Sequence, residues 1–143
     1  ASAMPPPLDW TYARLRDTHD LWHAATGYSG DVLGETALLA FTFAQTRNPA
    51  IALILAIGIS QTFSAPQRGP ADRRTIWDGF RRGAAARWLP AQDWESLLAL
   101  PLLEVRHRLR LEAPAVYREL RSSELQSTSP LARPRRVAPE ATA

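Results

Sequence analysis

The chain has 143 residues, of which 45% are hydrophobic. It carries 17 basic residues, all arginine, a net charge of +3 and no cysteine, which bounds it to one domain and excludes disulfides, thiolate chemistry and sulfur metal ligands, while the lack of lysine excludes Schiff-base and lysine-base mechanisms. The surplus of positive charge points to an anionic partner or surface.

Pro5 to Pro7 make an extended lead-in, so residues 1–8 are read as outside the fold. A first helix is predicted from the Asp9 N-cap to about Thr26. Inside it lies the densest piece of chemistry in the chain, His19-Asp20-Leu21-Trp22-His23, with Glu35 following after eleven intervening residues. On a helix, His19 and His23 stand one turn apart on one face, and Asp20 lies roughly 60° from His23 around the axis. Two imidazoles at that spacing can bind one ion, as in H-E-x-x-H zinc sites. The Gly27-Tyr28-Ser29-Gly30 turn leads to Asp31, the N-cap of a second helix running to about Arg47 with Glu35 in its first turn. The helix dipole alone accounts for a carboxylate there. With a metal, two nitrogens and one or two carboxylate oxygens make a divalent site for zinc, iron, manganese or cobalt.

Asn48-Pro49 reads as N-cap and first residue of a third helix, Ala50 to about Phe63, apolar on nearly every side. Such a helix is expected in the core, with a wall for an acyl chain as the sharper alternative. Its apolar run is ten residues, short of the roughly twenty that span a bilayer. After a loop at Ser64 to Gly69, a fourth helix is predicted from Ala71 to Trp88, arginines outward and Ile76, Trp77 and Phe80 inward. Arg73, Arg74, Arg81, Arg82 and Arg87 crowd this segment. A solvated face explains them as well as any ligand does; membrane phosphates or a prenyl phosphate come next, and no motif supports nucleic acid. Short helices follow at about Gln92–Leu100, Leu102–Leu109 and Ala115–Glu124. His107, among arginines, reads as a surface residue, and the tryptophans as packing, with a membrane-interface role open for Trp10 or Trp88. Residues 125–143 are expected to be a disordered tail. No repeat or strand alternation is present, so the fold class is all-α: a compact multi-helix bundle over residues 9–124 holding the metal.

The run His19-Asp20-Leu21-Trp22-His23-Ala24-Ala25-Thr26-Gly27-Tyr28, then Asp31, Gly34-Glu35 and Ala37-Leu38-Leu39-Ala40-Phe41, resembles the coenzyme Q (ubiquinone) biosynthesis protein four family, whose signature is H-D-x-x-H, eleven residues, then E. Trp94-Glu95-Ser96-Leu97-Leu98, Pro101-Leu102, Val105-Arg106, Pro114 and Tyr117 look like the end of that family's pattern, and the match covers about residues 10 to 120. The resemblance implies that His19, Asp20, His23 and Glu35 ligate a zinc-like ion. It further implies a late step of ubiquinone biosynthesis on a polyprenylated benzoate ring, either oxidative decarboxylation at C1 or a scaffold role among quinone-biosynthesis proteins. Such proteins are peripheral membrane proteins and often homodimers. Family members have further helices before the histidines, where here eighteen residues precede them; the expectation is a truncated, processed or shortened relative.

Three functions follow as expectations. The first is a metal-dependent decarboxylase, a lyase-type enzyme, with Asp20 and Glu35 catalytic. The second is a non-enzymatic isoprenoid-lipid scaffold with a structural metal. The third is a zinc hydrolase, in which Asp20 would stand where H-E-x-x-H enzymes have their general base, or a relative recruited to another substrate. Whether Asp20 is ligand or base stays open. The Arg- and Ala-rich, lysine-free composition points to a bacterial source and a cytoplasmic protein peripheral to the inner membrane.

Overall fold

The computed structural model describes residues 13–14, 16–64 and 69–128; the lead-in, Asp9, Trp10, most of the Ser64–Gly69 loop and residues 129–143 lie outside them. The elements are α1 (His19–Thr26), α2 (Val32–Thr46), α3 (Pro49–Ser64), α4 (Pro70–Ala85), a 3-10 turn (Leu89–Ala91), α5 (Trp94–Leu97), α6 (Leu102–Leu109) and α7 (Ala115–Thr128). Among the described residues there is no strand, so the fold is all-α.

Helix α2 is the axis of the molecule. The Asp31 carboxylate caps it by accepting from the N–H groups of Leu33 (3.2 Å) and Gly34 (3.1 Å), satisfying two of the donors that a helix start leaves unpaired. Leu33, Ala37, Leu38 and Phe41 are fully buried, and α2 packs mainly against α4 and α3. The approach of α4 is close because Gly79 and Gly83 face the backbone carbonyls of Ala37 and Phe41, where a Cβ would collide. Trp22 of α1, Leu89, Trp94, Leu109 of α6 and Tyr117 of α7 complete the core.

Before α1, residues 13, 14, 16 and 17 are helical and Thr18 makes a turn, its N–H and hydroxyl both donating to the Arg14 carbonyl. The expected single helix is thus interrupted one residue before His19. At the other end, Gly27 adopts φ 81°, and its N–H returns to the His23 carbonyl, the usual glycine stop. The remaining carbonyls of that end are taken by arginine. Arg106 donates to Ala24 and Ala25 (3.0 and 2.8 Å), and Arg82 to Thr26 (2.8 Å), a favourable place for cations at a helix C-terminus.

Several expectations are corrected. Helix α3 is not core: it lies along α2 with only Thr62 buried, and Leu53, Ile54 and Ile57 stand 65, 48 and 50% exposed. A helix apolar all round can bury only the stripe that touches a neighbour, and here that neighbour is chiefly α2. Helix α4 ends at Ala85, since Ala86 is extended and the Arg87 N–H bonds the Leu109 carbonyl. Its buried stripe is Asp72, Thr75, Ile76, Gly79, Arg82 and Gly83, so Arg82 points inward. Trp77, about 100° from Ile76, turns outward and stacks on Phe80 (centroids 5.5 Å, planes 13° apart). The Gln92–Leu100 segment holds only α5, capped by Asp93 through Ser96 N–H. Helix α7 continues through residues 125–128, placed in the tail by sequence.

Candidate metal centre

The two histidines of α1 and the first-turn glutamate of α2 converge across the Gly27–Gly30 turn. The His19 and His23 rings are 4.6 Å apart, edge to face. Glu35 reaches both, with Oε1 3.2 Å from Nε2 of His23 and Oε2 3.8 Å from Nε2 of His19. One donor atom from each of the three lies within 4.8 Å of the others. Trp22, almost fully buried between the two positions, anchors α1 so that both imidazoles sit at its edge.

Asp20 is not brought into this group. Its side chain is fully exposed and its Oδ1 lies 3.7 Å from Nδ1 of His19, on the side of the ring away from Glu35. The sequence placed it correctly on the helix, but its short side chain is not gathered with the other three.

The donor chemistry fits a cation. Nδ1 of His23 is 3.0 Å from the Tyr28 carbonyl. A carbonyl only accepts, so Nδ1 carries the hydrogen, and Nε2 is the nitrogen left to face Glu35 Oε1. Two lone-pair donors facing each other call for a cation between them, either a proton or a metal ion. The arrangement of an imidazole oriented by a backbone carbonyl on its far nitrogen is the one metal-bound histidines use. The nitrogen–oxygen set suits zinc and also iron, manganese and cobalt.

The turn that orients His23 is held from a distance. The Tyr117 hydroxyl of α7 accepts from Ser29 N–H (3.2 Å) and donates to Oδ2 of Asp31, and its ring meets Tyr28 edge-on at 5.4 Å. Burial, then the bond donated to Asp31, raises the Tyr117 phenol above its ordinary range and keeps it a donor. Gly34 permits this approach, because a Cβ there would collide with the Ser29 carbonyl and crowd the Tyr117 hydroxyl. Beneath Tyr28 lies the Arg82 guanidinium, 4.9 Å from the ring centre. Burial raises the Tyr28 phenol, and Arg82 opposes that rise.

An apolar groove of about 410 Å³ opens beside the histidines. His19, Asp20 and Glu35 form its polar end, Leu38, Leu39, Ile51 and Ile54 its walls, and Arg16 its rim. That volume suits a small organic ligand, for which pockets of about 300–1,000 Å³ are usual. Sequence reasoning placed Tyr117 in the family pattern but missed its part in this centre, which comes from far along the chain. Tyr117 stands 86 residues from Asp31 and shows no local signal of its role.

The fold and site together define an all-α protein with a histidine–carboxylate cluster at the end of an apolar groove. The family model of the coenzyme Q (ubiquinone) biosynthesis protein Coq4 matches residues 5–115, and the chain belongs to that family. It is 34% identical over 113 residues to the mitochondrial ubiquinone biosynthesis protein COQ4 of Ajellomyces dermatitidis, covering 76% of this chain and 37% of that one. The corresponding protein of Aspergillus flavus is 37% identical over the same length and shares. A crystal structure of a protein from Nostoc punctiforme, named for ubiquinone biosynthesis, superposes with a TM-score of 0.61 at 34% identity, covering 67% of this chain and 47% of that one. The chain therefore spans under half the length of these relatives. Among the described residues no helix is long and apolar enough to cross a membrane.

Proposed function

We propose that this chain serves ubiquinone biosynthesis by holding a divalent cation, zinc foremost, at His19, His23 and Glu35, and by presenting to it the ring of a polyprenylated benzoate whose tail lies in the adjoining groove. The observation that carries this reading is the position of the cluster at the polar end of an apolar groove, with His19 and Glu35 about half exposed toward it. A purely structural metal site would be closed on all sides by protein ligands.

The reaction we propose is replacement of the C1 carboxyl by hydroxyl. The ring–carboxyl bond breaks and carbon dioxide leaves. A ring C–O bond forms with oxygen from water, and two electrons and two protons pass to a two-electron acceptor such as dioxygen. A bound cation supplies Lewis-acid stabilisation of the ring carboxylate or phenolate, and iron could also take part in the electron transfer. The protein's part is positional. His23, locked by Tyr28, fixes one ligand; Glu35 lowers the charge of the centre; Leu38, Leu39, Ile51 and Ile54 take the first part of the tail, so that remote binding energy holds C1 in place. Asp20, exposed at the same end of the groove, is placed to serve as proton acceptor.

The scaffold reading is favoured by a different observation, the bare apolar face of α3 edged by Arg47 and Arg73, which suits an anionic membrane surface, other quinone-biosynthesis proteins or a second copy of the chain. A peripheral position on a membrane fits both readings. One experiment separates them. The full-length protein and its His23→Ala and Glu35→Gln variants are supplied to cells lacking the C1 step, with ubiquinone measured. Restoration by wild type alone supports catalysis at the metal. Equal restoration by all three sinks it in favour of the scaffold.

A further inference from the structure

We propose that Tyr117, on α7, is a positioning residue that sets the geometry of the metal centre without touching it. This rests on the metal reading of His19, His23 and Glu35. One phenol hydroxyl ties together both halves of the site. As acceptor it holds the Ser29 N–H at 3.2 Å, next to Tyr28, whose carbonyl fixes the tautomer of His23. As donor it holds Oδ2 of Asp31, while the other oxygen of that carboxylate caps α2. The Asp31 carbonyl accepts the Glu35 N–H at 2.8 Å, starting the turn of helix from which Glu35 projects. So a single hydroxyl fixes the ligand of α1 through the turn and the ligand of α2 through its cap.

The surroundings are built around that hydroxyl. Tyr117 is 3% exposed and its ring is wedged against Tyr28. Arg121, one turn further along α7, brings its Nε to 3.8 Å from the same Asp31 oxygen and sets a positive charge beside it. At Gly34 any side chain would occupy the space the hydroxyl and the Ser29 carbonyl need. Packing alone would be met by phenylalanine at position 117. The hydroxyl, with a donor and an acceptor both engaged on the metal-bearing turn, has no packing purpose.

Tyr117→Phe keeps the ring and removes the latch. Zinc affinity of the full-length protein is measured by competition with a chromophoric chelator, cobalt(II) is bound as a spectroscopic probe, and the imidazole 15N shifts report the His23 tautomer in the zinc-free protein. The expected result is zinc binding weakened about tenfold, the lower end of what outer-shell partners of metal ligands contribute. The cobalt absorption spectrum should change, and His23 should pass from the Nδ1–H form to a mixture of tautomers, with helical content kept. A lowered melting temperature with zinc affinity, cobalt spectrum and tautomer all unchanged makes Tyr117 a purely structural residue and overturns the proposal. If wild type binds no zinc, the metal reading falls by itself, and the tautomer comparison still decides on the latch: an identical His23 pattern in wild type and variant overturns it. Should Tyr117→Phe fail to fold, Asp31→Asn is measured in the same way. It keeps an oxygen for the α2 cap but presents to the phenol an amide nitrogen that cannot accept its hydrogen bond.

Discussion

Residue by residue, the proposed metal centre is graded by how firmly each donor is held. His23 is 16% exposed with its far nitrogen bonded to a backbone carbonyl, so little freedom is lost when it binds. His19 is 52% exposed, and its nearest partner on the far nitrogen is Asp20 at 3.7 Å, beyond hydrogen-bond length. His23→Ala should therefore cost more zinc affinity than His19→Ala, and Asp20→Asn, lying outside the cluster, should keep stoichiometric zinc. Isothermal titration of these three variants and of Glu35→Gln checks the order; loss of zinc in Asp20→Asn equal to that in Glu35→Gln would make Asp20 a ligand. Zinc at a hundredfold excess over its dissociation constant should add about 2.7 kcal/mol of stability, which for a domain of this size is a melting shift of roughly 5–10 °C, reversed by a chelator. The tyrosines set a separate, alkaline limit. The buried Tyr28 and Tyr117 phenols have raised pKa values against an ordinary 10.0. The folded state thus favours the protonated phenol, and the stability this provides is complete below pH 10 and is lost as pH rises beyond it, where the unfolded chain ionises first. Urea unfolding at pH 9 and pH 11 should show the decline, and a smaller one in Tyr117→Phe.

Among the elements, the turn between α1 and α2 is the most constrained, and Gly34 is where this can be read with the least ambiguity. Alanine in place of glycine inside a helix ordinarily gains about 1 kcal/mol. At position 34 the added methyl would run into the Ser29 carbonyl, a backbone atom that cannot move without dragging Tyr28 and its bond to His23. Gly34→Ala should reverse the usual sign, lowering stability and weakening zinc together; a neutral or stabilised variant would mean the turn is slack. How far sequence reaches is clear from this pair of helices. The His19–His23 spacing, the Asp31 cap and the first-turn place of Glu35 are all local patterns, and all three positions are where periodicity put them. The burial of Arg82 and the outward face of Trp77 depend on which stripe of α4 the glycines press against α2, and no window of sequence shows that. Likewise α3 reads as core by composition, yet burial needs neighbours as well as apolar side chains.

At the scale of the whole molecule, α3 is the feature that most needs a partner. It carries no charged residue from Pro49 to Ser64, and Leu53, Ile54 and Ile57 stand open. Contiguous apolar surface of this kind marks an interaction site. On one side of α3 lies the groove that ends at His19 and Glu35. On the other lies an apolar cleft of about 340 Å³ lined by Phe63, Ile76, Trp77 and Phe80. Arginines edge this side: Arg73 sits 6.0 Å from the centre of the Phe63 ring and Arg47 5.3 Å from that of Phe80. Apolar residues with an exposed tryptophan, edged by cations, match the two demands of a lipid surface, acyl contact and anionic headgroups. A surface of this composition, laid on a bilayer, would put the mouth of the groove where the ring of the proposed polyprenylated substrate would reside, and its tail would never need to cross water. Sedimentation with vesicles tests it. Binding should require anionic lipid, weaken as salt rises, and be lost in Ile57→Asp, which alters an exposed position and so should leave the fold intact. If Ile57→Asp instead turns a dimer into a monomer while vesicle binding is absent in wild type, α3 is a protein–protein face, and the tail must reach the metal by the groove alone.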